Sequence, residues 1–293
     1  MIEISQLRKA FGDHRVLDGI DLSIPRGTVF ALLGPNGAGK TTFIKILSTL
    51  LPLDSGTARV AGHDVVTDPA GVRRAISVTG QFSAVDPLLT GRENLTLIAR
   101  LTRTPRRRVA GKVDAMLERF DLTGAAARRV ATYSGGMTRR LDIAISMLNE
   151  PTIMFLDEPT TGLDPRSRQA VWELISELTG RGVTVLLTTQ YLDEADQLAQ
   201  RLAVLDGGKI VAEGSPAELK RRVGTDIVDI HYGDRVESLP TDGSFADIRR
   251  AILAVADQPA PTAMSIRTPS LDDVFFQLTG QTRQSDQREG VNA

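Results

Sequence analysis

The sequence predicts an α/β fold: a mostly parallel sheet with helices on both faces, an antiparallel β region ahead of it and a small α+β appendage behind. Three observations predict it. Apolar strand runs at residues 28–33, 153–156 and 183–189 are separated by longer stretches with apolar residues at helical spacing. A glycine-rich loop joins the first run directly to an amphipathic helix. The residue types able to do chemistry, Gly34, Gln81, Asp157 and Gln190, each follow the end of an expected strand, the rim where ligands of such sheets sit.

The first elements are antiparallel. Ile20, Leu22 and Ile24 alternate with polar residues, as in a strand with one wet face, and pair with the region near residues 2–7. Phe11 lies between them, just before Gly12. The 28–33 run then leads into Gly34, Pro35, Asn36, Gly37, Ala38, Gly39, Lys40, Thr41 and Thr42, which fits the phosphate-loop pattern G-x-x-x-x-G-K-[ST]. Phe43, Ile46, Leu47 and Leu50 follow on one helical face. The glycines let backbone N–H groups curl inward toward phosphate oxygens, and the helix start adds partial positive charge. Lys40 can reach the β- and γ-phosphates, and the Thr41 hydroxyl can ligate Mg²⁺. A glycine-rich turn matching by chance would lack this strand–loop–helix setting.

Further on, residues 57–60 and 75–78 read as short strands, and the second ends shortly before Gln81. From 90 to 130 the pattern is helical, with Val109, Val113, Met116, Leu117 and Phe120 on one face. Arg103, Arg106, Arg107 and Arg108 open that helix and read as a solvated face rather than a docking patch. Ser134 is placed to cap the next helix, which carries Met137, Leu141, Ala144, Ile145 and Leu148 on one side. The 153–156 strand ends at Asp157-Glu158-Pro159. Val171, Leu174, Ile175 and Leu178 define another helix, and Asp206-Gly207-Gly208-Lys209 a hairpin turn. Beyond Arg222 the character changes: residues 227–232 and 264–267 read as strands, 245–255 as helix, and Pro259 and Pro261 as loop. Residues 281–293 are polar and expected to be disordered.

Composition sets outer bounds. At 293 residues the chain fits one large domain and a smaller one. A net charge of −1 gives no electrostatic argument for nucleic acid. The absence of cysteine excludes disulfides, thiolate metal sites and a cysteine nucleophile. The first residues lack the layout of a signal peptide, and no stretch approaches ~18 consecutive apolar residues, so any membrane role is expected to run through a partner.

Asp157-Glu158 adds the second half of a nucleotide site. A carboxylate at the end of a buried strand beside a phosphate loop can hold Mg²⁺ through its water shell, and its neighbour can orient or deprotonate the attacking water.

At this point the chain resembles the ATP-binding subunits of ABC transporters over residues 1–222. The phosphate loop matches the family's Walker A, residues 153–158 its Walker B with the catalytic glutamate, and Tyr133-Ser134-Gly135-Gly136-Met137 its signature. Gln81 matches the Q-loop glutamine, residues 161–164 the D-loop with Asp164, and Phe11 the aromatic that stacks on adenine. The resemblance implies a P-loop NTPase core with a helical signature subdomain at about 83–150, an accessory domain at 223–280, and ATP and Mg²⁺ as ligands. Thr41, Gln81 and Asp157 are then the expected metal contacts, and Lys40, Glu158 and Gln190 the expected catalytic groups. It also implies that two copies pair head to tail, each ATP lying between the Walker A of one and Ser134, Gly135 and Gly136 of the other. Two departures stand out. Gln190 occupies the place of the switch histidine and can donate a hydrogen bond but carry no charge, and Met137 replaces the signature's usual closing Gln. His63, in a Gly62-His63-Asp64 turn, reads as a surface residue and no replacement.

The runs at 188–196, 80–86 and 271–276 resemble the daunorubicin-resistance branch. That branch implies a homodimer on a separate ABC-2-type permease at the cytoplasmic face of the membrane, exporting drugs or other hydrophobic compounds; relatives with the same look move lipids or polysaccharides. The permease's coupling helix would dock on the region from Gln81 through the helices to Val130. A soluble ABC ATPase of DNA repair or translation would be expected to carry tandem cores, coiled-coil insertions or zinc-binding cysteines. A regulatory protein that binds nucleotide without turnover sits poorly with Lys40, Asp157 and Glu158 all present.

Overall fold

The computed structural model describes residues 1–80, 85–224, 226–233, 235–255 and 261–279. It divides into two compact units, Met1–Glu213 and Gly214–Ala293.

In the first unit, β1 (Ile2–Phe11) and β2 (His14–Ile24) form an antiparallel hairpin turning at Gly12. Ile20, Leu22 and Ile24 point into the core while Asp21 and Ser23 stay exposed, which is the expected alternation. Every residue of β3 (Val29–Leu33) is buried, and the phosphate loop carries it into α1 (Lys40–Leu47). The chain returns to the hairpin layer with β4 (Ser55–Val60) and β5 (His63–Asp64), completing a sheet of order β2-β1-β4-β5. α2 (Pro69–Ala75), capped by Asp68, leads to β6 (Ile76–Thr79).

The stretch expected to be helical from 90 to 130 is two helices. α3 (Gly91–Leu101) opens on a capping box between Thr90 and Glu93. α4 (Arg106–Arg119) starts anew, because Pro105 cannot continue a helix and Arg103 takes a positive φ of 59°. Val109, Val113 and Leu117 are buried as expected, and two 3₁₀ turns at 123–125 and 130–132 lead to α5 (Gly135–Met147).

β7 (Ile153–Asp157), α6 (Pro165–Gly180), β8 (Thr184–Thr189), α7 (Leu192–Leu198), β9 (Arg201–Asp206) and β10 (Lys209–Gly214) finish the unit. The main sheet runs β10-β9-β3-β8-β7-β6, and its β9–β3, β3–β8, β8–β7 and β7–β6 pairs are parallel. β3, β8 and β7 are buried throughout, which is why their sequences read as unbroken apolar runs. Gly207 and Gly208 both take positive φ in the β9–β10 turn, the requirement of a tight two-residue hairpin. One core cluster joins the two sheets through α1: Ile2, Leu7 and Ile24 pack with Phe43, Ile46 and Leu47 and with Phe30, Phe155 and Leu186.

The second unit holds α8 (Pro216–Val223), β11 (Asp226–Tyr232), β12 (Arg235–Thr241), α9 (Phe245–Ala254), β13 (Ala263–Arg267) and α10 (Leu271–Thr279). Its antiparallel sheet runs β12-β11-β13, over a small core of Val228, Ile230 and Val255. The two units divide before α8, which packs against α10. β12 and α10 went unrecognised in the sequence. Charges and Pro240 break the pattern of β12, which only an edge strand tolerates. The expected tail at 281–293 lies outside the described residues.

Candidate functional site

Strand register assembles the site. Leu33 pairs with Thr189 across β3–β8, and Asp157 with Thr188 across β7–β8. The first residues past these strands, Gly34, Glu158 and Gln190, therefore lie side by side at one rim. A cleft of about 360 Å³ opens there, lined by Asn36, Gly37, Gly39, Lys40, Thr41 and Thr42, with Val16 from β2 and Glu158.

The loop's shape depends on its glycines. Gly39, the residue before α1, has φ 108°, and a Cβ there would come within 2.9 Å of the Val16 carbonyl and of Leu17 Cδ2. A Cβ on Gly34 would lie 2.3 Å from the Leu205 carbonyl. Neither position admits another residue without moving backbone. The first turn of α1 has no side-chain cap and no acidic residue, so its amides are uncontested donors for an anion.

Lys40 is 5% exposed. Its Nζ donates to the carbonyls of Gly34 (2.7 Å) and Pro35 (3.0 Å) and sits 3.9 Å from Glu158 Oε1. Burial lowers its pKa, while Glu158 and Asp157 oppose that shift and favour the ammonium. Asp157 is gripped on both oxygens: Thr41 Oγ1 donates to Oδ2 at 2.9 Å, and Thr188 Oγ1 to Oδ1 at 2.5 Å. Among the described residues no group of three or more His, Cys, Asp or Glu is gathered for a metal. One carboxylate beside one hydroxyl fits Mg²⁺, which keeps several waters and takes its other oxygens from phosphates, and does not fit a caged transition metal.

Glu158 adopts φ 48°. A non-glycine residue in this region costs of order 1–3 kcal/mol and persists only where neighbours hold it. They do so here. Its N–H donates to the Thr188 carbonyl (3.1 Å) and hydroxyl (3.2 Å), and its Oε2 accepts from Thr161 Oγ1 at 3.2 Å.

Other expected site residues lie elsewhere. Ala38 packs in the core, so its role is shape, and Pro35 offers its carbonyl to Ala38 N and to Lys40. Ser134 caps α5 by accepting from Met137 N at 3.3 Å, and a Cβ on Gly136 would meet Ser167 Oγ at 2.5 Å. Asp164 caps α6, accepting from Ser167 N (2.9 Å) and Oγ (2.7 Å); the Ser167 backbone bond holds its carboxyl below the usual range. None of Ser134, Gly135, Gly136 and Asp164 lines the phosphate cleft of its own chain. Gly135 instead lines a second cleft, of about 550 Å³, shared with Arg139, Thr161, Leu163 and again Glu158. Phe11 is half-exposed at the hairpin end, with Lys9 Nζ 5.5 Å from its ring centre, and is not among the residues lining the phosphate cleft. Gln190 is partly buried just past β8. Gln81 lies outside the described residues. His63 pairs its Nδ1 with Asp68 Oδ2 at 2.7 Å, away from the site.

Sequence reasoning missed Val16 and Thr188, and it marks Thr161 only as the first residue of the expected D-loop. Only Thr188 carried a signal: two hydroxyls end an otherwise apolar strand, an arrangement suited to bonding a neighbouring carboxylate.

The comparisons with known proteins agree with this geometry. The ABC transporter family profile matches residues 17–161. The chain is 46% identical to the daunorubicin resistance ATP-binding protein DrrA3 of Streptomyces coeruleorubidus, over 96% of each chain. It is 47% identical to the daunorubicin/doxorubicin resistance ATP-binding protein DrrA of Streptomyces peucetius, over 95% of this chain and 92% of that one. The Nod factor export ATP-binding protein I of Cupriavidus metallidurans is 36% identical over 96% and 98%. Among solved structures, the ADP conformation of an ATP-binding cassette of an ABC transporter superposes with a TM-score of 0.67 at 27% identity, covering 74% of this chain and 92% of that one. The chain belongs to the ATP-binding subunits of ABC transporters, and it is an ATPase of that P-loop fold. Within that family it groups with the daunorubicin- and doxorubicin-resistance ATP-binding proteins.

Proposed function

We propose that this chain powers export of drugs or other hydrophobic compounds through a separate ABC-2-type permease, working as a head-to-tail homodimer at the cytoplasmic face of the membrane. The observation that carries the dimer is the separation of its two glycine-bearing sites. The phosphate cradle opens on one cleft and the signature on another, so one chain offers two different halves of an ATP site. A second copy supplies Ser134, Gly135 and Gly136 to the γ-phosphate held by Lys40 and the amides of 34–42, with the cap of α5 adding a positive helix end. Thr41 and Asp157, with Gln81 as the further expected contact, would hold Mg²⁺, which would neutralise phosphate charge there. Glu158 takes the proton of the attacking water, Gln190 donates to the γ-phosphate, Asp164 reaches across the dimer, and Phe11 offers its exposed face to adenine. The accessory domain strengthens the dimer. Among the described residues no helix is long and apolar enough to cross a membrane, in keeping with a pathway built by another subunit.

The test is transport into inside-out vesicles holding this chain and its cognate membrane permease. ATP-dependent uptake of an anthracycline, abolished by Glu158→Gln, is expected. Uptake of a lipid or polysaccharide instead of the drug would favour the second reading. Uptake of neither would sink the proposal.

A further inference from the structure

Two buried titratable groups lie deep behind Glu158, and neither lines the phosphate cleft. Arg139, on α5, has a side chain only 11% exposed. Its Nε donates to the Pro159 carbonyl at 2.8 Å, and its Nη1 to the Gly80 carbonyl at 3.3 Å and Asp142 Oδ2 at 3.2 Å. Glu194, on α7, is fully buried, and its Oε1 accepts from Thr160 Oγ1 at 2.8 Å and Trp172 Nε1 at 3.2 Å. Each side chain thus grips one residue of the segment that leaves Glu158: Arg139 holds Pro159 and Glu194 holds Thr160. Thr161 then bonds back to the Glu158 carboxylate.

Stability alone does not account for such groups. Burial pushes the Arg139 guanidinium below its ordinary pKa, against Asp142 and Glu194, and the Glu194 carboxyl above its own, against hydroxyls, the indole and Arg139. Apolar side chains of the same volume would fill the space at less cost. What these two hold in place is a backbone in a high-energy conformation, the positive φ of Glu158.

We propose that Arg139 and Glu194 are positioning residues for hydrolysis, clamping residues 158–161 between the helix that starts at the signature and the helix that follows Gln190. The inference rests on Glu158 being the base. Arg139 also holds Gly80, the residue before Gln81, so one guanidinium ties the signature helix, the Q-loop approach and the strained turn together. A shift of α5 is passed to Glu158 through the Pro159 carbonyl.

The test measures kcat and KM for ATP, affinity for a fluorescent ATP analogue and melting temperature on the purified full-length chain. Arg139→Lys keeps the charge but loses the fork, and Glu194→Ala loses the grip on Thr160. Both are expected to lower kcat by about 10–100-fold, the scale of a small misplacement, with KM and analogue affinity unchanged. Glu194→Gln retains an amide oxygen for Thr160 and Trp172 and is expected to keep most of kcat. Trp172 is the chain's single tryptophan, so its emission shifts in Glu194→Ala and not in Glu194→Gln. Normal kcat in Arg139→Lys and Glu194→Ala overturns the proposal. So does a kcat loss that only tracks melting temperature, with Glu194→Gln as damaging as Glu194→Ala. Glu158→Gln is assayed in parallel: wild-type turnover there refutes the base assignment and the clamp with it, whereas a dead Glu158→Gln beside active Arg139 and Glu194 variants refutes the clamp alone.

Discussion

The hydroxyl of Thr188 donates to Asp157 Oδ1 at 2.5 Å and at the same time accepts the N–H of Glu158 at 3.2 Å. One buried side chain on the neighbouring strand therefore holds the carboxylate of the expected metal contact, Asp157, and the backbone of the expected base, Glu158. Thr188→Val keeps the shape and removes both bonds. It is expected to reduce kcat by about tenfold and to raise the Mg²⁺ concentration needed for half-maximal turnover, measured by phosphate release across a Mg²⁺ titration.

Glu158→Gln keeps the bulk of the side chain but cannot take a proton. Hydrolysis is expected to fall by about 10²–10⁴-fold with ATP binding retained. Phosphate release and filter binding of radiolabelled ATP, run side by side, separate the two effects; a variant that hydrolyses normally would remove Glu158 from the mechanism.

Gly136 has no room for a methyl group, since Ser167 Oγ and Cβ would lie 2.5 and 2.7 Å away. Gly136→Ala is expected to lose about 1–3 kcal/mol in urea denaturation, the usual cost of overpacking. Adding Ser167→Gly should recover most of that loss. No recovery in the double variant would mean that the close approach to α6 is not what selects glycine.

Gln190 sits beside Gly34 at the strand ends, where the family's usual group is a histidine. Gln190→Ala in a reconstituted transporter should lower turnover about tenfold, the worth of a hydrogen bond to a charged group. Unchanged ATP turnover would show that the amide makes no useful bond to the γ-phosphate.

Glu194 gives a dependence on pH with a definite sign. Burial raises its carboxyl above the ordinary 4.5, so the folded state binds this proton more tightly than the unfolded chain. Its contribution is most favourable below 4.5 and is lost as pH rises through the folded-state value. Glu194→Gln should melt near the wild type at acidic pH and above it, relative to that baseline, at neutral pH. Differential scanning fluorimetry at pH 4.5 and 7.5 gives the comparison, and an opposite trend would contradict the sign.

Much of this architecture was legible because the sequence writes it locally. Gly34 to Thr42 carry their own turn chemistry, and β3, β7 and β8 announce burial on both faces by unbroken apolar runs. Ser134 is a helix cap readable from residue type alone. The rest depends on distant neighbours. Glu158 gives no sign of its positive φ, which is held by Thr188 thirty residues on. Val16 reaches the cradle only because the hairpin layer folds over α1, and Arg139 reads as one more exposed arginine until Pro159 and Gly80 are brought to it. β12 was hidden for a different reason: as an edge strand it needs neither alternation nor freedom from proline.

The close approach of Gly34 to the Leu205 carbonyl dates the site in the life of the chain. β3 must wait for β8 and β9 as partners, so Val29 has no neighbour until Val185 has left the ribosome. At elongation rates of about 5–20 residues per second that delay is roughly 8–30 s, during which a wholly apolar strand stays unpaired. A chain that stalls before Leu205 has every residue of the phosphate loop but not the carbonyl that Gly34 approaches, and its β3 lacks the completed β9 beside it.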